Sequence, residues 1–294
     1  MVKTGSLAKQ TLTLYFERYI MKISIIGHGF VGKAVEYGFS KSVNQLTIID
    51  PNYGTTVENL KEQNIDVHFV CVPTPVGDNG KIGSHIVQSV MDFLISETEG
   101  LIVLKSTVTP DLVDQFAKQT DRFIYNPEFL TERNANQDFV NPVMHVFGGE
   151  EWAVDQLHEI YDSFSNCASC MVYKMTAKEA SFVKYGINSF LSTKVTWFNQ
   201  YHQLVESMGG NYNTVIQAIG HDPRVAIGHT AVPGPDGKFG FGGACFKKDC
   251  SAILNMTGGD ILTILNQAVL ENNKIRSQYD LDEREIAQNI RFDD

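Results

Sequence analysis

The sequence predicts an α/β protein. A doubly wound parallel sheet over residues 21–172 is followed by an α-helical domain over residues 173–294, entered through a long connecting helix. Three observations carry this. From Met21 onward, short β-branched runs alternate with longer amphipathic segments, the pattern of parallel strands joined by helical crossovers. The chemically unusual residues follow these runs, as expected where ligands bind beyond the carboxyl ends of parallel strands. After about residue 172 the hydrophobic period lengthens, and residues 176–208 read as one helix.

Residues 1–20 precede a second methionine, Met21, at which the first strand pattern begins. Their apolar part is short and broken by Glu17 and Arg18, so they read as an extension outside the fold and not as a signal peptide or membrane span. KISIIG then opens the sheet, and QLTIID, VHFVCV, LIVLK, RFIY and MHVFGG continue it. The first strand runs into GHGFVG, with Gly27, Gly29 and Gly32 at GxGxxG spacing, and a helix pattern, KAVEYGF, follows. Asp50 closes the next strand. In that context the spacing marks a dinucleotide site of Rossmann type. The glycines permit a tight turn and close approach of a pyrophosphate to the helix N-terminus, whose amides and dipole stabilise it. Asp50 can accept from ribose hydroxyls and would repel a 2′-phosphate, so NAD is expected over NADP. His28, inside the turn, is expected to face solvent. Later strand ends carry VPTP (72–75), KSTV (105–108) and NPEFL (126–130) followed by Glu132.

On the long helix, Lys184 and Asn188 lie four residues apart and share a face. Lys184 alone reads as a solvated side chain; its pairing with Asn188 on an otherwise apolar element favours a functional role. A helix so rich in Phe, Val, Leu and Trp must be covered on more than one side, which predicts a homodimer seam along residues 176–208. Residues 240–249, GFGGACFKKD, set Cys245 after a glycine run and before Lys247, Lys248 and Asp249. One reading is a glycine-rich turn ahead of a core cysteine. The other is a nucleophilic thiolate favoured by the lysines, with glycine amides close to an anionic ligand. On this segment alone both stand.

With 294 residues, 43% hydrophobic and 20% charged, the chain has room for about two packed domains, and neither disorder nor a membrane protein fits. A formal charge of −10 argues against a general nucleic-acid binder, so a phosphate-bearing ligand must be held by a local cluster. Five cysteines, an odd number, fit a reducing cytoplasm better than a disulfide framework. Cys167 and Cys170 form a lone CxxC, read as surface or core thiols and not as a zinc site; no metal is expected.

Taken together, GxGxxG with Asp50, VPTP, KSTV, NPEFL with Glu132, the Lys184/Asn188 pair, DPR (222–224) and GFGGACFKKD occur in the order and spacing of the nucleotide-sugar dehydrogenases. From Met21 to about residue 275 the chain resembles this UDP-glucose 6-dehydrogenase and GDP-mannose dehydrogenase family. The resemblance implies oxidation of the C6 alcohol of a nucleotide sugar, UDP-glucose first among them, to the uronic acid with two NAD, through a thiohemiacetal and a thioester on Cys245. It assigns Lys184 and Asn188 to the reacting oxygen, and Thr107, Glu128, Glu132 and Asp249 to the water that hydrolyses the thioester. It places Gly27, Gly29, Phe30, Val31, Gly32, Asp50, Thr74, Pro75, Ser106, Thr107 and Lys248 at the cofactor. Glu128, Phe129, Lys184, Asn188, Arg224, Phe239 and Gly242 fall at the substrate, with Arg224 and Lys248 as contacts to its phosphates or sugar hydroxyls.

Three departures from the family pattern stand out. FKKD replaces FPKD, Met144 stands where an arginine is usual, and the chain stops after a helix at 261–279 and an acidic tail, where family members continue into a third domain that binds the nucleotide. Two rival readings remain: a β-hydroxyacid dehydrogenase, which transfers one hydride and needs no Cys245, and an NAD-binding non-enzyme.

Overall fold

The computed structural model describes residues 20–77 and 82–292. The chain divides into two compact units, Met1–Pro73 with Ser84–Phe182, and Thr74–Gly83 with Val183–Asp294.

In the first unit β1 (Met21–Ile26) leads into α1 (Phe30–Gly38), β2 (Asn44–Ile49), β3 (Val67–Val70), α2 (His85–Glu97), β4 (Leu101–Leu104), α3 (Pro110–Gln119) and β5 (Phe123–Tyr125). α4 (Ala135–Val140), β6 (Met144–Gly149), α5 (Glu151–Phe164) and β7 (Met171–Met175) complete it. Helix faces follow the hydrophobic period: α2 buries Val87, Val90, Met91 and Leu94, and α5 buries Ala153, Val154, Leu157, Ile160, Tyr161 and Phe164. α3 begins with Pro110, carries Asp111 in its first turn and Lys118 in its last, each suited to the helix dipole. The aromatic rings of Phe39, Phe69, Phe139 and Phe147 gather around the buried Tyr161 in the core.

The sheet has seven strands in the order β2-β1-β3-β4-β5-β6-β7. The predicted parallel sheet is present with one exception, because β6 pairs antiparallel with β5. α4 has six residues, about 9 Å of helix, too short to carry the chain back across the sheet, so β6 starts at the end where β5 finishes. α5 is long enough, and β7 returns parallel to β6. β7 was not legible as a strand: MVYKM has one β-branched residue and lies half exposed at the sheet edge. The sheet therefore extends to Met175, past the predicted boundary at 172.

α6 (Ala177–Ser207) is the predicted long helix, with 31 residues. Its start is fixed by a reciprocal cap: Glu179 accepts from the Thr176 backbone N–H at 2.9 Å, and the Glu179 N–H donates back to Thr176 Oγ1 at 3.3 Å. The second unit adds α7 (Tyr212–Gly220), α8 (Ala244–Thr257), α9 (Thr263–Arg276) and α10 (Glu283–Ala287). One core cluster joins Tyr185, Phe241, Cys250, Ile253, Leu265 and Val269; a second joins Phe198, Tyr212, Ile216 and Val232. The segment after β3 belongs to this unit: Val76 N–H donates to Gln288 O at 3.2 Å, Asn289 donates to Val76 O at 3.1 Å, and Val76 packs on Ile290 and Phe292. Among the described residues, no helix is long and apolar enough to cross a membrane. Residues 1–19 of the predicted extension lie outside the described residues.

Candidate active site

The predicted site residues divide between the two units. In the first, strand order reverses direction of growth between β1 and β3, which opens a crevice at their carboxyl ends. Gly27 turns there with φ +87°, and a Cβ on it would stand 2.7 Å from Cys71 O. A Cβ on Gly32 would stand 2.1 Å from Gly27 O. The first and third glycines are thus required by the chain's own packing. Gly29 is different: a Cβ there meets nothing within 4 Å, so the chain's own packing does not require this glycine, and its bare backbone lets a ligand come close at the start of α1. Phe30 and Val31 are half-buried in the first turn of α1.

Asp50 is buried, with Oδ2 accepting from His28 N–H at 2.7 Å and Oδ1 from Asn52 N–H at 2.9 Å. Burial pushes its carboxyl up, but the two backbone N–H groups and His28 outweigh that and hold it below the ordinary value. Each carboxylate oxygen can accept a second bond, which suits ribose hydroxyls. His28 corrects an expectation. Its side chain is only 9% exposed and pairs with Glu36 at 2.8 Å and Tyr53 OH at 2.9 Å, so it braces the turn.

Ser106 donates to Val72 O at 2.7 Å, tying KSTV to the end of β3, and Thr107 beside it is buried. Glu128 is buried and accepts from Leu130 N–H at 2.7 Å, with Phe129 half-buried next to it. Glu132 opens a short 3-10 turn, and its side chain lies outside the described residues. Lys105, which motif reading left without a role, donates to Asn126 Oδ1 at 2.9 Å; Tyr161 OH donates to the same oxygen at 2.8 Å. This buried network holds the start of NPEFL. Met144 is half-buried at the start of β6.

In the second unit Lys184 and Asn188 are both buried on α6. Asn188 Nδ2 donates to Asp249 Oδ2 at 2.5 Å. Lys248 Nζ donates to Asp249 Oδ1 at 2.9 Å and to Thr74 Oγ1 at 3.3 Å. Four predicted residues, Thr74, Asn188, Lys248 and Asp249, therefore form one hydrogen-bonded chain. Pro75 is half-buried beside Thr74, its carbonyl accepting from Gly83 N–H at 2.7 Å. Cys245 is half-buried in the first turn of α8, where helix amides stabilise negative charge. Cys250 and Cys71 are buried, and burial pushes each thiol up to about 12, away from the thiolate a nucleophile needs.

The glycine run is built differently from the expectation. Gly240 N–H donates to Asn199 at 2.8 Å, Phe241 N–H to Asn272 at 2.7 Å and Gly243 N–H to Glu285 at 2.8 Å. These amides serve protein acceptors and not an anionic ligand. Gly240 and Gly243 have φ of +74° and +75°, and a Cβ on Gly242 would fall 2.0 Å from the Arg276 guanidinium. The lysines likewise have their own partners: Lys247 donates to Asn273 at 3.2 Å, and Lys248 pairs with Asp249. Phe239 packs edge-on to His202 in the Phe198 cluster. Arg224 is 87% exposed and forks onto Asp222 at 2.6 and 3.0 Å. Asn199, Asn272, Arg276 and Glu285 escaped the motif reading. A signal was present in the asparagine doublet Asn272–Asn273 on α9, polar residues at buried helix positions.

Cys167 and Cys170 donate to backbone carbonyls and line a cleft of about 370 Å³ with His145, His158 and Tyr161. Among the described residues, no group of three His, Cys, Asp or Glu could hold a metal.

Residues 54–165 match the NAD binding domain of the UDP-glucose/GDP-mannose dehydrogenase family, and residues 178–274 match that family's central domain. The chain belongs to this family. The two matches cover more than two thirds of the 294 residues. NAD is the cofactor of the matched domain, and Gly29 and Asp50 suit it. A UDP-glucose 6-dehydrogenase of Rickettsia felis is 32% identical over 234 residues, 76% of this chain and 50% of the relative. One of Pseudomonas aeruginosa is 28% identical over 281 residues, 80% of this chain and 61% of the relative. The chain thus spans about half to two thirds of the length of the curated relatives it matches. A UDP-glucose dehydrogenase structure from Pyrobaculum islandicum superposes with TM-score 0.73 at 24% identity, over 87% of this chain and 68% of that one. A Mycobacterium tuberculosis 3-hydroxyisobutyrate dehydrogenase gives 0.68 at 16%, over 92% and 99%. These likenesses show that the family fold is shared.

Proposed function

We propose that the chain oxidises the C6 alcohol of a nucleotide sugar to the carboxylate in two steps, with Cys245 as nucleophile and UDP-glucose as the first substrate to test. One observation carries the reading: Cys245 occupies the first turn of α8, one helical turn ahead of Asp249, whose carboxylate binds Asn188 of the Lys184/Asn188 pair. The relatives named UDP-glucose 6-dehydrogenase favour the substrate.

In this reading Lys184 and Asn188 donate to the C6 oxygen and stabilise charge on it as its proton passes to an adjacent water. An amide nitrogen has two hydrogens, so Asn188 can serve Asp249 and the substrate together. The chemistry NAD supplies when bound is acceptance of the hydride in each oxidation. The Cys245 sulfur adds to the aldehyde carbon, and the resulting alkoxide is protonated to a thiohemiacetal. Loss of a hydride and a proton leaves a thioester. Water then attacks, the C–S bond breaks, and the carboxylate leaves as the thiolate is restored. Thr107, Glu128, Glu132 and Asp249 are the groups proposed to hold and deprotonate that water, while Phe129, Arg224, Phe239 and Gly242 contact the substrate.

Incubation with NAD and a panel of UDP- and GDP-sugars tests this directly. Two NADH per acid formed is the expected result, and Cys245→Ala lowers acid formation at least ~10³-fold. One NADH with unchanged turnover in C245A replaces the reading with single hydride transfer; none replaces it with a binding protein. We also propose a second copy of this chain as partner, seated along α6.

A further inference from the structure

The chain after α9 folds back onto the loop that precedes Cys245. Glu285, on α10, is fully buried; its Oε1 accepts from Gly243 N–H at 2.8 Å and from Arg276 at 3.1 Å, and its Oε2 accepts from Asp282 N–H at 2.9 Å. Asp282 caps α10 in return, accepting from the N–H of Glu285 at 2.8 Å. The rotamer of Glu285 is therefore fixed at both oxygens. Arg276, 1% exposed, is held from its other side by Asp236 at 2.7 Å. Gly243 is the N-cap of α8 and has no side chain to cap that helix, and its own amide, two residues before Cys245, is anchored on Glu285.

We propose that Glu285 is a positioning residue for Cys245, fixing the Gly243 amide at the point where the chain turns into α8. Without that acceptor the first turn of α8 loosens, and the N-terminal amides that stabilise a sulfur anion lose their alignment. The carboxylate acts through its reach to Gly243, with the pairing to Arg276 holding it in place. This inference rests on Cys245 as the reacting thiol. It is read without sugar or NAD, so its failure and the failure of the two-step oxidation are separate results.

The test is alkylation of the full chain by iodoacetamide at pH 8, followed at the Cys245 peptide by mass spectrometry, with thermal melting in parallel. Glu285→Gln keeps an oxygen that reaches Gly243 and removes the charge; Glu285→Asp keeps the charge and shortens the reach. The expected result is alkylation at least ~10-fold slower in E285D and E285A, and within about threefold of the parent in E285Q. Unchanged or faster alkylation in E285D overturns the proposal, as does slowing in E285Q equal to that in E285D. If E285A does not fold, the Asp and Gln variants decide alone.

Discussion

Asp50 serves two ends at once: it anchors the turn through the amides of His28 and Asn52, and it presents acceptor oxygens at the end of β2. The two can be separated by substitution. Asp50→Asn keeps one acceptor oxygen but loses the charge, so NAD binding should weaken about tenfold, roughly one charge-assisted hydrogen bond, while discrimination against NADP should relax. Fluorescence titration with both dinucleotides reads this, and unaltered NAD/NADP preference would count against Asp50 at the ribose. At this scale the sequence is most informative where chemistry is local. GxGxxG with its acidic partner spans few residues, so the turn from β1 into α1 is legible in the residues that make it. The supports of Cys245 were not legible, because Asn199, Asn272 and Glu285 reach Gly240, Phe241 and Gly243 across 41, 31 and 42 residues. Nothing in GFGGACFKKD indicates which distant side chains take up its amides.

Among the elements, β1 and β3 flank the crevice and share a buried polar pair, Ser24 Oγ and His68 Nδ1 at 2.7 Å. Burial first, and then the charge of Arg122, pulls His68 down to about 4 from its ordinary 6.5. His145 on β6 is likewise pulled to about 4, by burial and then by Lys105 and His158. Between about pH 6.5 and 4 the unfolded chain binds protons at these positions that the folded chain does not. The stability that these two histidines govern should therefore fall as pH drops through that window, and their share should level off below it, each pKa unit being worth ~1.4 kcal/mol. Urea midpoints across the range check this; a flat profile, or one no shallower in His68→Gln, would refute it. Element boundaries were largely legible because caps and periods are local, as at Thr176 and Glu179. The reversal of β6 was not, since it depends on how far a six-residue helix can carry the chain. α6 shows how one element serves several ends: Lys184, Asn188 and Asn199 are buried on it, while Lys194 donates to the carbonyls of Val225, Ala226 and Gly228 at 2.7, 3.1 and 2.6 Å.

For the molecule as a whole, α6 leaves an apolar row uncovered. Phe190, Trp197 and Leu204 are 66%, 51% and 51% exposed, spaced seven residues apart along one face, with Met208 beyond them at 80%. Phe190 also borders a groove of about 310 Å³ walled by Ile261 and Ile264, each 76% exposed. A stable interface needs ~800 Å² from each partner, and apolar burial contributes ~25 cal/mol per Å², so this row is the face on which the proposed second copy is tested. Opposing it is the charge of −10 on each chain, a repulsion that salt screens while leaving the apolar term intact. A dimer held this way should therefore tighten as ionic strength rises. Phe190→Glu with Trp197→Glu should weaken it at least ~100-fold, since a charge in an apolar seam is strongly unfavourable. Light scattering after gel filtration reads the outcome: twice the 32.8 kDa chain mass for the parent and a single chain mass for the double variant. A parent that stays monomeric at about 100 μM in both low and high salt would leave this face to a different partner.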